Sequence, residues 1–228
     1  MAECRKGRGC ITLIGMPACG KSTVGVVLAK KLGMRFIDTD LVIQEQTGKL
    51  LKELIAEHGD EGFRAIEDRI NASIDAENAV IAPGGSAVYG KKAMAHFREL
   101  GQVVYLKLPY YAVVLRIGDL KERGVSIRPG QTFYQLYRER TRLYEKYADL
   151  VVDERRLPIR AVVKKIILMT GRELPETLKD AERGAAAAEK KEKSKRIKKN
   201  GKRNMAAGQH AVPGPGSHGK LRGQRRPQ

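Results

Sequence analysis

The chain has 228 residues, enough for one ordinary domain with an appendage, and its formal net charge is +18. No apolar run approaches the roughly 18 residues of a membrane span, and the basic start MAECRKGRG leads into too few apolar residues for a secretory signal. The three cysteines, Cys4, Cys10 and Cys19, have neither an even count nor a CxxC spacing, which argues against a disulfide framework and predicts a cytoplasmic protein without membrane contact.

Short apolar runs alternate with amphipathic stretches along most of the chain. The predicted buried strands are Ile11–Ile14, Phe36–Ile37, Val80–Ala82, Val103–Leu106 and Leu150–Val152. The predicted helices are Lys21–Lys31, roughly Leu41–Glu57, Asp60–Ile74, Lys91–Glu99, Tyr110–Ile117, Gln131–Tyr147 and Ile159–Met169. This alternation predicts an α/β fold built from βαβ units, with a parallel sheet covered by helices on both faces.

The first strand leads into GMPACGKS (residues 15–22), which matches G-x-x-x-x-G-K-[ST] between a strand and a helix. In such a phosphate-binding loop (P-loop), backbone N–H groups and a helix N-terminus surround a phosphate. We expect Lys21 to reach the β- and γ-phosphates of ATP and the Ser22 hydroxyl to bind Mg²⁺. A small filler is a better interpretation of Cys19 than a redox switch. The predicted ATP-binding residues here are Gly15, Pro17, Ala18, Cys19, Gly20, Lys21, Ser22 and Thr23.

Two strands end in aspartate. Asp38 and Asp40 follow the second strand with one residue between them, so one carboxylate could face the water shell of a metal and the other an acceptor hydroxyl. The alternative is that Thr39 or Asp40 only caps the next helix. Asp153, after the last strand, is better interpreted as a turn residue.

Two arginines lie at apolar stripes of predicted helices. Arg140 falls within the stripe of its helix, where an unpaired charge would be costly, so an anionic ligand is one interpretation and a snorkelling side chain the other. Arg64 borders the stripe of an earlier helix. Taken alone, Arg64 is better explained as a solvated arginine paired with Asp68 at i+4.

The third strand runs into a turn, Pro83-Gly84-Gly85-Ser86, at the edge where parallel sheets bind ligands. Glycines there let another molecule approach the backbone closely. Ser86 could add a hydroxyl to such a site, or could only cap a helix.

The composition changes abruptly after Leu178. Residues 179–228 carry 15 Lys or Arg against 4 Asp or Glu, with almost no large apolar side chain. Such a segment cannot offset its ordering entropy by burial, so we predict a domain over 1–178 and a disordered basic tail over 179–228. Weak, non-specific contact with nucleic acid is the interaction that this charge favours.

Together, the segments GMPACGKST, FIDTD, GFRAIE, PGGS, VVYL and RTRLYEKYADLVVD resemble the shikimate kinase family over about residues 9–170. The resemblance implies a P-loop three-layer sandwich with a five-stranded parallel sheet, a substrate-binding region, a mobile lid, and ATP and Mg²⁺ as cofactors. It implies catalytic roles for Lys21, for Asp38 beside the metal with Ser22, and for Asp40 at the acceptor hydroxyl.

The same resemblance implies further binding roles. Arg64 and Arg140 would hold the substrate carboxylate beside Gly84, Gly85 and Ser86, and Glu67 would orient Arg64. Arg116 would stack on adenine, and Arg123 would be the lid arginine that neutralises the transferring phosphoryl group.

The chain departs from the family pattern at two places. The family usually has three glycines after the third strand, where this chain has Pro-Gly-Gly-Ser. The lid motif is usually Arg-Pro-Leu-Leu, but Arg123 precedes Gly124 here and Arg128 precedes Pro129, which leaves the lid arginine open between Arg123 and Arg128.

The leading hypothesis is a monomeric ATP-dependent kinase for the hydroxyl of a small carboxylic acid. Because the departures fall in the acceptor pocket and the lid, L-homoserine, in threonine synthesis, is the preferred acceptor, and shikimate is the alternative. A non-catalytic, nucleic-acid-associated P-loop protein and a nucleoside-monophosphate kinase are weaker hypotheses.

Overall fold

The computed structural model describes residues 7–118, 127–128, 130–155, 157–176 and 178. Its strands are β1 (Cys10–Ile14), β2 (Arg35–Asp38), β3 (Ala79–Ala82), β4 (Gly101–Lys107) and β5 (Leu150–Asp153). They form one parallel sheet in the order β2-β3-β1-β4-β5. Because all five strands are parallel, the loops that follow β1, β2 and β3 lie at the same carboxyl-terminal edge of the sheet. The order in which strands are added changes direction at β1, and open α/β sheets bind ligands at such a point.

Seven helices and one short 3₁₀ helix connect and cover the strands within the described residues. They are α1 (Lys21–Leu32), α2 (Thr39–Thr47), α3 (Leu51–Ala72), the 3₁₀ helix (Ala87–Tyr89), α4 (Lys91–Leu100), α5 (Tyr110–Ile117), α6 (Phe133–Tyr147) and α7 (Ile159–Met169). Helix α1 packs against β2, β3 and α7, whereas α4 packs against β1, β4 and α3. Since parallel crossovers are right-handed, these two sets lie on opposite faces. The predicted three-layer α/β fold is confirmed.

The central strands are buried along their whole length, which explains why their sequences show no alternation of polar and apolar residues. Every residue of β1 and β3 is buried, and only two of the seven residues of β4 are partly exposed. A strand covered by helices on both faces has no solvent side, so an unbroken apolar run is what burial requires.

The two helices predicted between β2 and β3 are wrong in their boundaries. The chain leaves the helical path at Gly48, which ends α2. Helix α3 then starts with a capping interaction, in which the Glu53 carboxylate accepts a hydrogen bond from a backbone N–H 2.8 Å away. Gly59, with φ 66° and ψ −178°, interrupts α3 without ending it. The periodicity of apolar residues placed the break between the two helices too late in the chain, because apolar residues recur at helical spacing on both sides of it.

Helices α2 and α3 share a small apolar core of their own. It consists of Ile43, Leu54, Phe63 and Ile70, all at most 8% exposed. This packing fixes the rotation of α3 and thereby turns its polar residues toward the end of the sheet.

None of the helices among the described residues is long and apolar enough to cross a membrane. The segment 179–228 and the lid residue Arg123 lie outside the described residues. The division into a kinase domain over 1–178 and a basic tail therefore stays a prediction.

Candidate active site

The P-loop wraps closely between β1 and α1. Gly15 has φ 153° and Gly20 has φ 94°, which are backbone conformations that residues with a side chain rarely adopt. A Cβ at Gly15 would also lie 2.8 Å from both the Cys19 sulfur and a carbonyl oxygen of β4. The ammonium group of Lys21 donates to the carbonyl oxygens of Gly15 (3.0 Å) and Met16 (3.2 Å). The loop is thus shaped as the motif predicts, with its lysine held over the loop backbone.

The aspartates after β2 have different surroundings. The Ser22 hydroxyl donates to Asp38 Oδ2 at 3.0 Å, and Asp38 Oδ1 accepts from the backbone N–H of Asp40 at 3.1 Å, so Asp38 is the N-cap of α2. The alternative that Thr39 or Asp40 caps this helix is wrong. Burial, and then the charge of Asp38, raise the pKa of Asp40. Asp38 therefore faces the P-loop serine, while Asp40 is a largely desolvated carboxyl.

A cavity of about 270 Å³, here called the main cleft, opens at this edge of the sheet. It is small for a ligand pocket, which commonly measures roughly 300–1,000 Å³, and so suits a small metabolite. Its walls bring together residues from the P-loop, β2 and α2, α3, the turn after β3, and α6. The predicted site residues among them are Pro17, Ala18, Lys21, Ser22, Asp38, Asp40, Arg64, Glu67, Gly84, Gly85, Ser86 and Arg140.

Both predicted arginines line the main cleft. Arg140 is 3% exposed, so the snorkelling alternative is wrong, and its Nε is buried without a hydrogen-bond partner among the described residues. The alternative pairing of Arg64 with Asp68 is also wrong, because Asp68 Oδ1 instead accepts from the backbone N–H of Ala93 at 2.8 Å. The guanidinium of Arg64 lies over the ring of Tyr89, 4.1 Å from its centroid.

The glycines of the turn after β3 are required by side chains that press against them. A Cβ at Gly84 would lie 2.5 Å from Glu67 Oε1 and 3.0 Å from Asp40 Oδ1. A Cβ at Gly85 would lie 2.9 Å from Pro17 Cδ and 3.3 Å from a guanidinium nitrogen of α6. Glycine at these two positions therefore lets neighbouring side chains pack tightly in the wall of the main cleft. It would also let a ligand approach the backbone.

Ser86 and Glu67 are coupled in the same wall. Glu67 is 1% exposed, and burial raises its pKa to about 7, while the nearby Ser86 hydroxyl opposes that rise. Glu67 Oε1 is buried without a hydrogen-bond partner among the described residues. Ser86 precedes the 3₁₀ helix, but its side chain makes no capping bond to it. The interpretation of Ser86 as only a cap of this helix is therefore wrong.

Tyr144 supports the turn and was not singled out by the sequence analysis. Its hydroxyl donates to the carbonyl oxygen of Gly85 at 2.7 Å, and its ring stacks on Tyr105 with centroids 5.1 Å apart. In the sequence it belongs to the apolar stripe of α6. Nothing in that stripe distinguishes a core aromatic from one that also holds a loop.

A second cavity, here called the outer cleft, lies on the other side of the P-loop and measures about 250 Å³. It is lined by Cys19, Gly20, Thr23 and Arg116 together with residues that follow β5. Burial raises the pKa of Cys19, which makes the thiol unreactive and supports its interpretation as a filler. The predicted adenine-stacking residue Arg116 thus lies beside the P-loop, at its outer face.

Glu154, in the outer cleft, was missed by the sequence analysis. Its carboxyl is 4% exposed and lies 3.7 Å from the guanidinium of Arg116. Burial raises its pKa to about 7. The positive charges of Arg116 and Lys21 oppose this rise, and the negative charge of Asp153 adds to it. The neighbouring Asp153, predicted as a turn residue, is instead the last residue of β5, and its carboxylate pairs with Arg155 at 2.6 Å. The only signal in the sequence was a second acid directly after β5.

The substitution Glu154→Gln is expected to stabilise the protein more at high pH than at low pH. Since burial raises the pKa of Glu154 from 4.5 to about 7, this group favours the folded state fully below about pH 4.5 and loses that contribution as pH rises through 7. The melting temperature of the variant minus that of the wild type should therefore be more positive at about pH 8.5 than at about pH 5. Glu45→Gln, at an exposed site on α2, is the control. A difference independent of pH would contradict the assignment.

A family model described as shikimate kinase matches residues 17–170. The shikimate kinase of Clostridium botulinum (strain Eklund 17B / Type B) is 36% identical over 143 residues, which are 62% of this chain and 86% of that protein. The shikimate kinase of Aquifex aeolicus is 33% identical over 159 residues, which are 69% of this chain and 94% of that protein. The similarity thus extends far beyond the P-loop.

Solved structures agree with these relatives. A shikimate kinase from Acinetobacter baumannii in complex with shikimate has a TM-score of 0.64 at 29% identity, covering 71% of this chain and 92% of that one. The shikimate kinase from Aquifex aeolicus has a TM-score of 0.62 at 32% identity, covering 70% and 94%. Each similarity spans almost the whole of the solved relative.

Proposed function

Because this chain belongs to the shikimate kinase family, we propose that it transfers the γ-phosphoryl group of ATP to a hydroxyl group of shikimate. Members of this family are small-molecule kinases that use ATP and Mg²⁺. The observation that carries the proposal is the convergence of Lys21, Asp40, Arg64 and Arg140, from four different helices, on one small cleft.

The described residues fit a bound Mg²⁺. This ion prefers oxygen ligands and keeps several waters, so it needs few protein ligands. The Ser22 hydroxyl and the Asp38 carboxylate, 3.0 Å apart beside the P-loop, offer two such oxygens. Among the described residues no group of three or more His, Cys, Asp or Glu could hold a metal, as expected for an ion that shares its shell with water and phosphate. Mg²⁺ would neutralise charge that develops on the phosphates.

We use the charges of the lining side chains to propose which of them bind the acceptor in the main cleft. Arg64 and Arg140 would bind the carboxylate of the acid through charge-assisted hydrogen bonds, which guanidinium groups make in bidentate geometry. Asp40 would accept the proton of the acceptor hydroxyl. The oxygen would then bond to the γ-phosphorus as the bond from phosphorus to the ADP oxygen breaks, with Lys21 stabilising the charge on the phosphoryl oxygens.

The sequence-based preference for homoserine receives no support from the relatives, which are named shikimate kinases. That preference depended on Ser86 narrowing the cleft and offering its hydroxyl to the acceptor. The comparisons therefore favour shikimate, the alternative acceptor of the sequence analysis.

We predict that purified protein with ATP and Mg²⁺ uses shikimate at least about tenfold more efficiently than L-homoserine, measured as kcat/KM. Tenfold corresponds to about 1.4 kcal/mol of transition-state discrimination, which the fit of one pocket can supply. ADP release assayed with both acceptors side by side measures the ratio. The Ser86→Gly variant should keep the preference. A ratio that favours homoserine would overturn the proposed acceptor. If neither acid supports ATP turnover, the result would favour a non-catalytic protein.

A further inference from the structure

Tyr89 connects the two arginines of the main cleft. It is the last residue of the 3₁₀ helix that follows the Pro-Gly-Gly-Ser turn, and it is half-buried. Its ring centroid lies 4.1 Å from the guanidinium carbon of Arg64 and 5.6 Å from that of Arg140. Both distances fall within the roughly 6 Å reach of a cation–π contact. One aromatic ring thus touches both guanidinium groups.

The ring contacts offset the repulsion between the two guanidinium groups. Arg64 and Arg140 carry like charges close together at one cleft, and Arg140 is almost fully buried. The carboxyl of Glu67 lies near both guanidinium groups, and Asp38, Asp40 and Asp60 line the same cleft. Burial raises the pKa of Glu67 to about 7, so its negative charge is only partly available near neutral pH. The negative face of an aromatic ring attracts guanidinium groups at any pH.

We propose that Tyr89 is a positioning residue, whose ring holds Arg64 and Arg140 in the arrangement that binds the acceptor carboxylate. The inference rests on the proposed function for the identity of the acceptor, but not for the contact itself. A guanidinium pair that is already ordered loses less entropy when the carboxylate binds, so its ordering strengthens binding without adding a contact to the substrate.

The ring makes the contacts that carry this proposal, since the Tyr89 hydroxyl is buried without a hydrogen-bond partner among the described residues. Tyr89→Phe keeps the ring and removes the hydroxyl, whereas Tyr89→Leu keeps an apolar side chain and removes the ring. Tyr111→Leu, at a tyrosine 58% exposed on α5, is the matched control for the general effect of such a replacement. Melting temperatures of all variants show which of them are folded.

The contact itself is tested on the protein without substrates. Protons above an aromatic ring resonate upfield, so the side-chain Nε–H signal of Arg64 should lie upfield in the wild type and in Tyr89→Phe. It should move downfield in Tyr89→Leu and stay unchanged in Tyr111→Leu. An Arg64 signal at the same position in wild type and Tyr89→Leu would overturn the proposal, whatever the enzyme phosphorylates.

The consequence for catalysis is tested by steady-state kinetics. We expect Tyr89→Leu to raise KM for shikimate about tenfold, with kcat and KM for ATP within about twofold of wild type, and Tyr89→Phe to restore the wild-type KM. An unchanged KM in Tyr89→Leu, or an equal rise in Tyr89→Phe, would overturn the proposal. Absence of shikimate turnover in the wild type would instead refute the proposed function, and the arginine signals would still decide the role of Tyr89.

Discussion

Replacing Lys21 by Ala is expected to reduce kcat by at least roughly 10²–10³-fold, because a positioned cation that meets the charge of a transferring phosphoryl group contributes that much. The ammonium group lies within 3.0–3.2 Å of two loop carbonyl oxygens, so it is already fixed above the P-loop. Initial rates at saturating ATP and shikimate measure the effect.

The control for this prediction is Lys30→Ala. Lys30 is exposed in the last turn of the same helix, α1, so its loss removes one charge without touching either cleft. Its kcat should stay near that of the wild type. Circular dichroism and melting temperature should show that Lys21→Ala is folded. A folded Lys21→Ala protein with near-normal kcat would refute the P-loop assignment.

Replacing Arg140 by Ala is expected to raise KM for the acid acceptor roughly 10- to 150-fold. Hydrogen bonds to charged groups are worth about 1.5–3 kcal/mol, and each 1.36 kcal/mol corresponds to tenfold. The guanidinium is 3% exposed and lines the main cleft, so no water can easily replace it. Arg140→Lys should be nearly as poor because an ammonium group cannot form the bidentate geometry.

Two further measurements separate binding from folding in this variant. KM for ATP should change little, because the proposed role of Arg140 is to bind the acceptor. Arg142→Ala, at an exposed position two residues along α6, should leave both KM values near those of the wild type. Normal acceptor KM in a folded Arg140→Ala protein would mean that the carboxylate binds elsewhere.

The roles proposed for Asp40 and Glu67 differ because the surroundings of the two carboxyls differ. Both carboxyls press against Gly84, and burial raises the pKa of both. Asp40 lies near Asp38 and Lys21, on the side of the P-loop. Glu67 lies near Arg64 and Arg140. A carboxyl beside two guanidinium groups is suited to orient them, and one beside the phosphate loop is suited to receive a proton.

The sequence alone determined the features that depend on contiguous residues. The P-loop follows from one segment of eight residues, GMPACGKS, between an apolar run and a helical pattern. The five strands follow from short apolar runs, which burial on both faces explains for β1, β3 and β4. The family was likewise recognisable before the fold was known. These features are local in the chain, so their physical cause can be seen in the order of the residues.

Only the tertiary structure decided what the side chains outside the P-loop do. Arg140 could be a snorkelling arginine or a ligand-binding one, and its burial by neighbouring elements settled that it does not snorkel. Ser86 suggested an altered acceptor pocket or a helix cap, and only the structure showed that it makes no capping bond and lines the main cleft. Tyr89 had no signal of its own, and Glu154 had only that of a second acid after β5. Their environments are created by segments that meet only when the sheet forms, and burial, charge pairing and pKa all depend on those neighbours.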